Sequence, residues 1–366
     1  AIRESVRVIE IDGRRIGYLR PDPKHGEAIE RALSDMVFDF AASPGSIAKP
    51  RFVKHTVDIC AHSSGGKTGC TRCLDACPTG AISARAGTIA VDAAVCAGCG
   101  SCSAVCPTGA MQYVGPPTEV MVRRLVTLLT TFLAAEGERP ILLIHSTRRG
   151  EEMINAIARF GDGLQANVLP MALRQTTQVG LELLLSALAL GAAKIVIQVD
   201  PEHEEETAAL RSQIDIANRI LAGLGWPDER VLLTLTSDPD VLSEALRDDR
   251  QLDDIRPIPD LDVEVTKHEL MLTCLEYLRS LRPGLTTSAI PLTGAPFGAV
   301  VVSDACTVCQ ACVRACPTGA LSGNARDLTL SFDEADCVQC GLCAAVCPER
   351  AITLEPRIGP ADESLR

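Results

Sequence analysis

The chain has 366 residues, 46% of them apolar and only 3% aromatic, with a formal net charge of −12. That length suits two or three domains, and the composition suits an aliphatic core and excludes global disorder. An acidic balance with no basic block argues against nucleic acid or an anionic membrane surface as partner. The longest apolar run, Leu183 to Ala193, is flanked by Glu182 and Lys194 and is too short to span a bilayer.

From the N-terminus, Ala1 to Arg20 is charged and strand-like, so no secretory signal is expected, and a first residue other than Met is expected of a processed or truncated chain. Val6, Val8, Ile9 and Ile11, then Asp12-Gly13, then Ile16, Tyr18 and Leu19 predict a hairpin over 5–19. Ile29, Leu33, Met36, Val37 and Phe40 predict a helix over 26–42, followed by a Pro/Gly loop to Pro50. Beyond a cysteine-rich stretch, Gly115-Pro116-Pro117 marks an exit, and 119–135 reads as an amphipathic helix. Strand-like runs at 141–144, 168–171, 194–199 and 231–235 then alternate with helical patterns at 151–159, 178–190 and 202–224. This β-α-β alternation predicts a parallel sheet covered on both faces, of flavodoxin-like or Rossmann-like type. In the 202–224 helix, Asp200 is the expected N-cap and Pro201 opens the first turn. Glu202, Glu204, Glu205 and Glu206 face the positive end of the dipole, and Leu210, Ile214, Ala217, Leu221 and Leu224 form the buried stripe. Leu270, Cys274, Leu278 and Leu281 align on a further helix over 266–281, which makes Cys274 a core thiol. His145 ends a strand and is expected to be partly exposed. No GxGxxG, Ser-His-Asp or HExxH pattern is visible.

The cysteines carry the chemistry. Of seventeen, sixteen fall within 60–106 and 306–347, and Cys274 stands alone between them. A disulfide scaffold does not cluster its cysteines in this way, and the odd count fits it poorly. Three motifs share one spacing: Cys96-x2-Cys99-x2-Cys102-x3-Cys106-Pro107, Cys306-x2-Cys309-x2-Cys312-x3-Cys316-Pro317 and Cys337-x2-Cys340-x2-Cys343-x3-Cys347-Pro348. The fourth has Cys60, nine residues, then Cys70-x2-Cys73-x3-Cys77-Pro78. Zinc sites usually pair two CxxC knuckles at a distance, so four cysteines in eleven residues suit an iron–sulfur cluster better.

The motifs resemble the bacterial-type 2[4Fe–4S] ferredoxin signature, in two copies. In such a run one tight loop wraps the cluster with its amides aimed at sulfur, and the last cysteine reaches the neighbouring cluster. The resemblance implies four [4Fe–4S] clusters, held by Cys60, Cys70, Cys73 and Cys106; by Cys96, Cys99, Cys102 and Cys77; by Cys306, Cys309, Cys312 and Cys347; and by Cys337, Cys340, Cys343 and Cys316. An internal repeat supports the pairing: Ala76 to Ser83 matches Ala315 to Ser322 at seven of eight positions. Strand-like pieces at 88–92 and 328–332 follow the ferredoxin pseudo-twofold plan.

The first motif carries a seven-residue insertion. Its AHSSGGKT, residues 61–68, satisfies a permissive phosphate-loop pattern, but cluster ligands follow it where a helix start would be needed. His55, His62, Lys67 and Arg72 lie near this motif, while the Cys96 and Cys337 motifs have no charge between their ligands and the Cys306 motif has only Arg314. Positive charge favours the reduced cluster, so Lys67 and Arg72 are expected to tune the Cys60 site to the highest potential. His62 stands as an alternative ligand to Cys60, against the expectation of an exposed loop histidine.

Residues 180–234, with GLELLLSALALGAAKIVI and LAGLGWPDERVLLT, resemble the delta subunit of methyl-viologen-reducing hydrogenase. That family links a hydrogenase to heterodisulfide reductase and holds a [2Fe–2S] cluster on cysteines. Here Gln198, Val199 and Asp200 stand where a cysteine is expected. The expected division is a hairpin and helix at 1–50, ferredoxin modules at 51–117 and 291–356, a central α/β domain at 118–290 and a tail at 357–366. The expected function is a cytoplasmic electron-transfer relay subunit with no catalytic residues of its own. Its expected partner is a flavin, molybdenum or hydrogenase-type subunit or a soluble ferredoxin. The rival reading is a self-contained reductase with a flavin or substrate site in the central domain.

Overall fold

A computed structural model describes residues 7–11, 14–19, 50–226, 229–247, 252–282, 289–324 and 326–359. Backbone packing separates 1–50 from 51–366. In the first unit β1 (Arg7–Ile11) and β2 (Arg14–Leu19) form the predicted antiparallel hairpin, with a register shift between Ile9 and Glu10. Its Asp12-Gly13 turn, the helix expected over 26–42 and the loop at 43–49 lie outside the described residues.

In the second unit each cysteine block folds by the same element order. In the first block β3 (Val53–His55) pairs with β8 (Met111–Tyr113), enclosing the β4–β5 hairpin (Ser63–Ser64, Lys67–Thr68). Next come α1 (Arg72–Asp75), the β6–β7 hairpin (Ile82–Arg85, Thr88–Val91) and α2 (Ser101–Ala104).

Between the blocks, α3 (Thr118–Ala134) leads into a sheet of β9 (Ile141–Ser146), β10 (Val168–Leu173), β11 (Lys194–Val199) and β12 (Val231–Leu235). All its pairings are parallel, in the order β10-β9-β11-β12. The four expected strands are all present. Helices α4 (Arg149–Phe160), α5 (Leu181–Ala189), α6 (Ala208–Gly223), α7 (Pro239–Leu246) and α8 (Lys267–Ser280) accompany them. β11 is buried at every position, as a strand covered on both faces requires, which is why its sequence is a near-continuous apolar run. All nine residues of α5 are buried too. Each buried leucine contributes about 1.5–3 kcal/mol, so this helix anchors the core.

The second block repeats the first. β13 (Ile290–Pro291) and β14 (Gly298–Val302) flank β17 (Ile352–Ile358); α9 (Ala311–Ala315), the β15–β16 hairpin (Leu321–Asn324, Thr329–Phe332) and α10 (Leu342–Val346) lie between. The β4–β5 hairpin has no counterpart among the described residues of this block.

Two helices differ from expectation. The run over 202–224 is two segments, a 3-10 stretch Pro201–Glu206 and then α6. Asp200 caps the first, accepting from the Glu202 amide at 3.1 Å. His203 leaves helical geometry (φ −107°), and the Thr207 hydroxyl donates to the Glu204 carbonyl at 2.7 Å, which closes the segment. Likewise Thr176–Gln178 is a separate 3-10 turn, with Gly180 as the N-cap of α5. Cys274 is fully buried, 3.6 Å from the Ser186 hydroxyl; burial pushes its thiol up to about 12.

The start of α8, set by a Thr266–Glu269 capping box, grips both cysteine blocks. Lys267 Nζ donates to the carbonyls of Ser103 and Ala104 at 2.7 and 2.8 Å and stands 3.1 Å from Glu182 Oε2; the two charged side chains are 8% and 1% exposed. Its neighbour His268 donates through Nε2 to the Ala335 carbonyl at 2.6 Å, and burial lowers its pKa, favouring the neutral ring. Breaking a buried ion pair leaves a charge uncompensated. Lys267→Met should cost about 3–5 kcal/mol in denaturant unfolding, and the Lys267→Met/Glu182→Leu double variant much less.

Candidate metal centres

Three cavities are each walled by four cysteines. Cys60, Cys70, Cys73 and Cys106 surround one, with His62 and Met111. Cys306, Cys309, Cys312 and Cys347 surround another, and Cys316, Cys337, Cys340 and Cys343 a third. These groupings coincide with three of the ligand sets implied by the ferredoxin resemblance. For the remaining set, the thiols that bear electrostatically on Cys102 are Cys99, Cys73, Cys96 and Cys77. All seventeen cysteines are free of disulfides. Among the described residues no group of three or more His, Cys, Asp or Glu side chains is arranged to hold a metal ion; the thiols stand around cavities instead.

The loops have a common construction. In each evenly spaced motif the residues on either side of the second cysteine take positive φ: Gly98 and Gly100, Val308 and Gln310, Gln339 and Gly341. Two left-handed residues curl the chain so that successive amides point inward, forming a nest for negative charge. The amide two residues after a cysteine donates to its sulfur at Cys60, Cys70, Cys99, Cys337 and Cys340. Further donors are the Met111 amide to Cys106 Sγ and the Ala351 amide to Cys347 Sγ, both at 3.3 Å. The hydroxyls of Thr79, Thr108 and Thr318 stand 3.7, 3.8 and 3.6 Å from the sulfurs of Cys77, Cys106 and Cys316. Tyr113 donates to the Gly98 carbonyl at 2.9 Å and pins that loop.

Burial first, and then neighbouring thiols, oppose ionisation. Cys73 and Cys343 are pushed up to about 12, and Cys102 higher still. Burial pushes Cys337 up to about 11. Four thiolates around one cavity repel one another, and cations at its centre would offset that charge.

The residues expected to tune the first site separate. Lys67 is exposed on the β4–β5 hairpin. Arg72 is half-buried: its Nη1 and Nη2 donate to the carbonyls of Gly294 and Ala295 at 2.5 and 2.8 Å. Burial lowers its pKa, while the thiols of Cys70, Cys106 and Cys340 oppose that shift. His62 is buried rather than exposed, its Nδ1–H donating to the Cys70 carbonyl at 2.9 Å. AHSSGGKT forms a hairpin, not the strand-to-helix turn that a phosphate loop requires.

At the carboxyl edge of the central sheet, the Thr176–Gln178 turn packs on the Cys99 loop. Thr177 donates to the Cys99 carbonyl at 2.6 Å, and a Cβ on Gly100 would lie 2.5 Å from Gln178 Cβ. His145, expected to be partly exposed, is buried under Gly150 and donates to the Ser146 carbonyl at 3.0 Å. Glu206 bears electrostatically on Cys99, a contact that nothing in the local sequence signals.

Residues 68–110 and 299–357 each match the 4Fe-4S dicluster domain. The chain carries two iron–sulfur domains of that dicluster type. The first match begins after Cys60, so the match does not include the first cysteine of the altered motif. A stretch of 49 residues is 37% identical to one subunit of the ion-translocating oxidoreductase complex of Methanosarcina acetivorans, covering 13% of this chain and 18% of that protein. Among the described residues no helix is long and apolar enough to cross a membrane.

Gly100 combines positive φ with a closed wall, so Gly100→Ala should cost about 2–4 kcal/mol, read as a lower thermal midpoint. Removing the charge of Glu206 beside Cys99 (Glu206→Gln) should raise one reduction potential in a redox titration and leave the others in place.

Proposed function

We propose that the chain is a relay subunit of a larger oxidoreductase, holding four [4Fe–4S] clusters on the four cysteine sets. The observation that carries this reading is the coincidence of three cavities with three of those sets. When bound, a cubane supplies one-electron storage and transfer. The chain's own part is to hold the thiolates, aim amides and hydroxyls at sulfur, and exclude water. Modules at 51–117 and 291–356 would hold two clusters each. The domain at 118–290 would be flavodoxin-like, since the sheet order β10-β9-β11-β12 is the 2-1-3-4 start of that plan, and 1–50 and 357–366 would be accessory.

The partner would be a redox protein: a flavin, molybdenum or hydrogenase-type subunit, or a soluble ferredoxin. The likeness to one subunit of an ion-translocating oxidoreductase complex supports membership of an assembly, and a reducing cytoplasm suits free thiols. The rival flavin site at the sheet edge is disfavoured by the packing of the Cys99 loop on that edge. Iron and acid-labile sulfide on anaerobically purified protein test the proposal. About sixteen irons per chain is the expected result for four cubanes. About twelve would remove the Cys60 site from the relay, and zinc in place of iron would overturn electron transfer.

A further inference from the structure

The seven-residue insertion in the first motif, the one sequence feature that the ferredoxin plan does not require, lies where the two cysteine blocks meet. Its strand β5 packs on α10, the helix that carries Cys343. Gly69, at the end of the hairpin, has no room for a side chain: a Cβ there would lie 2.5 Å from Leu342 Cγ and 3.0 Å from the Cys340 carbonyl oxygen. Three residues on, Arg72 reaches back to hydrogen-bond the carbonyls of Gly294 and Ala295, just before β14 of the second block. Cys340 bears electrostatically on Cys70, and the Arg72 guanidinium bears on both as well as on Cys106.

We propose that Cys70, Arg72 and Cys340 form the junction at which the two modules are in electronic contact. The cysteine sets then make one path in the order Cys306, Cys337, Cys60, Cys96, each set being named by its first loop cysteine. This deepens the four-centre reading and rests on it. The geometry supplies both ends. Cys309 is the one exposed cysteine of the chain, which places the Cys306 set at an open terminus. The Cys99 loop packs on the Thr176–Gln178 turn at the edge of the central sheet, which takes up the other end. Within each block the interleaved fourth cysteine joins the paired sets. Across the blocks only the insertion and Arg72 perform that office among the contacts described above. A crossing is balanced as it stands, since the electron that leaves one set enters the other with no co-reactant.

One guanidinium between two sets acts on both. It favours the reduced form of each, so it raises both potentials together. This extends the expectation from the sequence, in which Arg72 serves the Cys60 site alone. The insertion is thus a docking device rather than a nucleotide loop, and Arg72 is a positioning residue shared between modules.

The test is an EPR-monitored redox titration of the full chain, with iron counted on the same samples. Arg72→Gln should lower two of the four potentials together, each by about tenfold in the reduction equilibrium constant, which is about 59 mV for one electron. Arg72→Lys keeps the charge and should restore both; a merely structural role would not be rescued in this way. A shift confined to one potential, or none, at an iron content of about sixteen overturns the junction and leaves the four-centre reading standing. Fewer irons in the wild-type protein overturns that reading and the junction with it. If Arg72→Gln does not fold, the fully reduced wild-type protein decides: magnetic broadening across all four centres supports the junction, and two independently coupled pairs overturn it.

Discussion

Two consecutive side chains, Lys267 and His268, tie the two cysteine blocks of this chain to one helix start. One grips carbonyls beside Cys102 in the first cysteine block, the other the Ala335 carbonyl in the second. Both grips are buried, and the lysine is balanced by a carboxylate that has almost no access to water. Electron transfer depends steeply on distance, so the relay proposed above would need fixed spacing from its protein. Here the spacing is set by one helical turn, and that turn is set by the most apolar part of the fold, the wholly buried α5 and the strands beneath it. The central domain works as a bracket between the two blocks.

The cysteine loops answer a different demand. Thiols crowded around a cavity and removed from water resist ionisation, as the raised values at Cys73, Cys337 and Cys343 show. The loops meet this with paired left-handed residues and inward amides, which soften the charge but do not cancel it. Full compensation comes with the metal. On the proposed reading the modules are completed by their cofactor, whereas the middle of the chain is packed around a large apolar core.

Much of this was legible in the sequence because it is local. Strand positions at 141–146, 168–173, 194–199 and 231–235 follow from apolar runs, and the cysteine spacing and internal repeat give the shared plan of the two blocks. The capped start at Asp200 was also readable, although the chain interrupts the helix at Thr207, where a side-chain hydroxyl competes for a backbone carbonyl. What could not be read depends on contacts between distant residues. His62 looks like a loop histidine until the Cys70 carbonyl closes over it. Nothing near Arg72 announces Gly294, Ala295 or Cys340, and nothing near Glu206 announces Cys99. Periodicity records which face of an element is buried, not which other element buries it.

The loop around Cys309 has a consequence for how the molecule wears out. Where the equivalent loops place glycine at one or both left-handed positions, this one uses Val308 and Gln310, and a β-branched residue in that conformation stores strain. The same loop carries the exposed cysteine. Strain and access to solvent thus coincide at a single site, which marks it as the first to come apart under oxidant or chelator. On the proposed path, damage would then travel inward from one terminus, disconnecting the chain from its surroundings before the interior sites are touched. A relay of the proposed kind, failing from its outer contact, would fall silent rather than leak electrons from its middle.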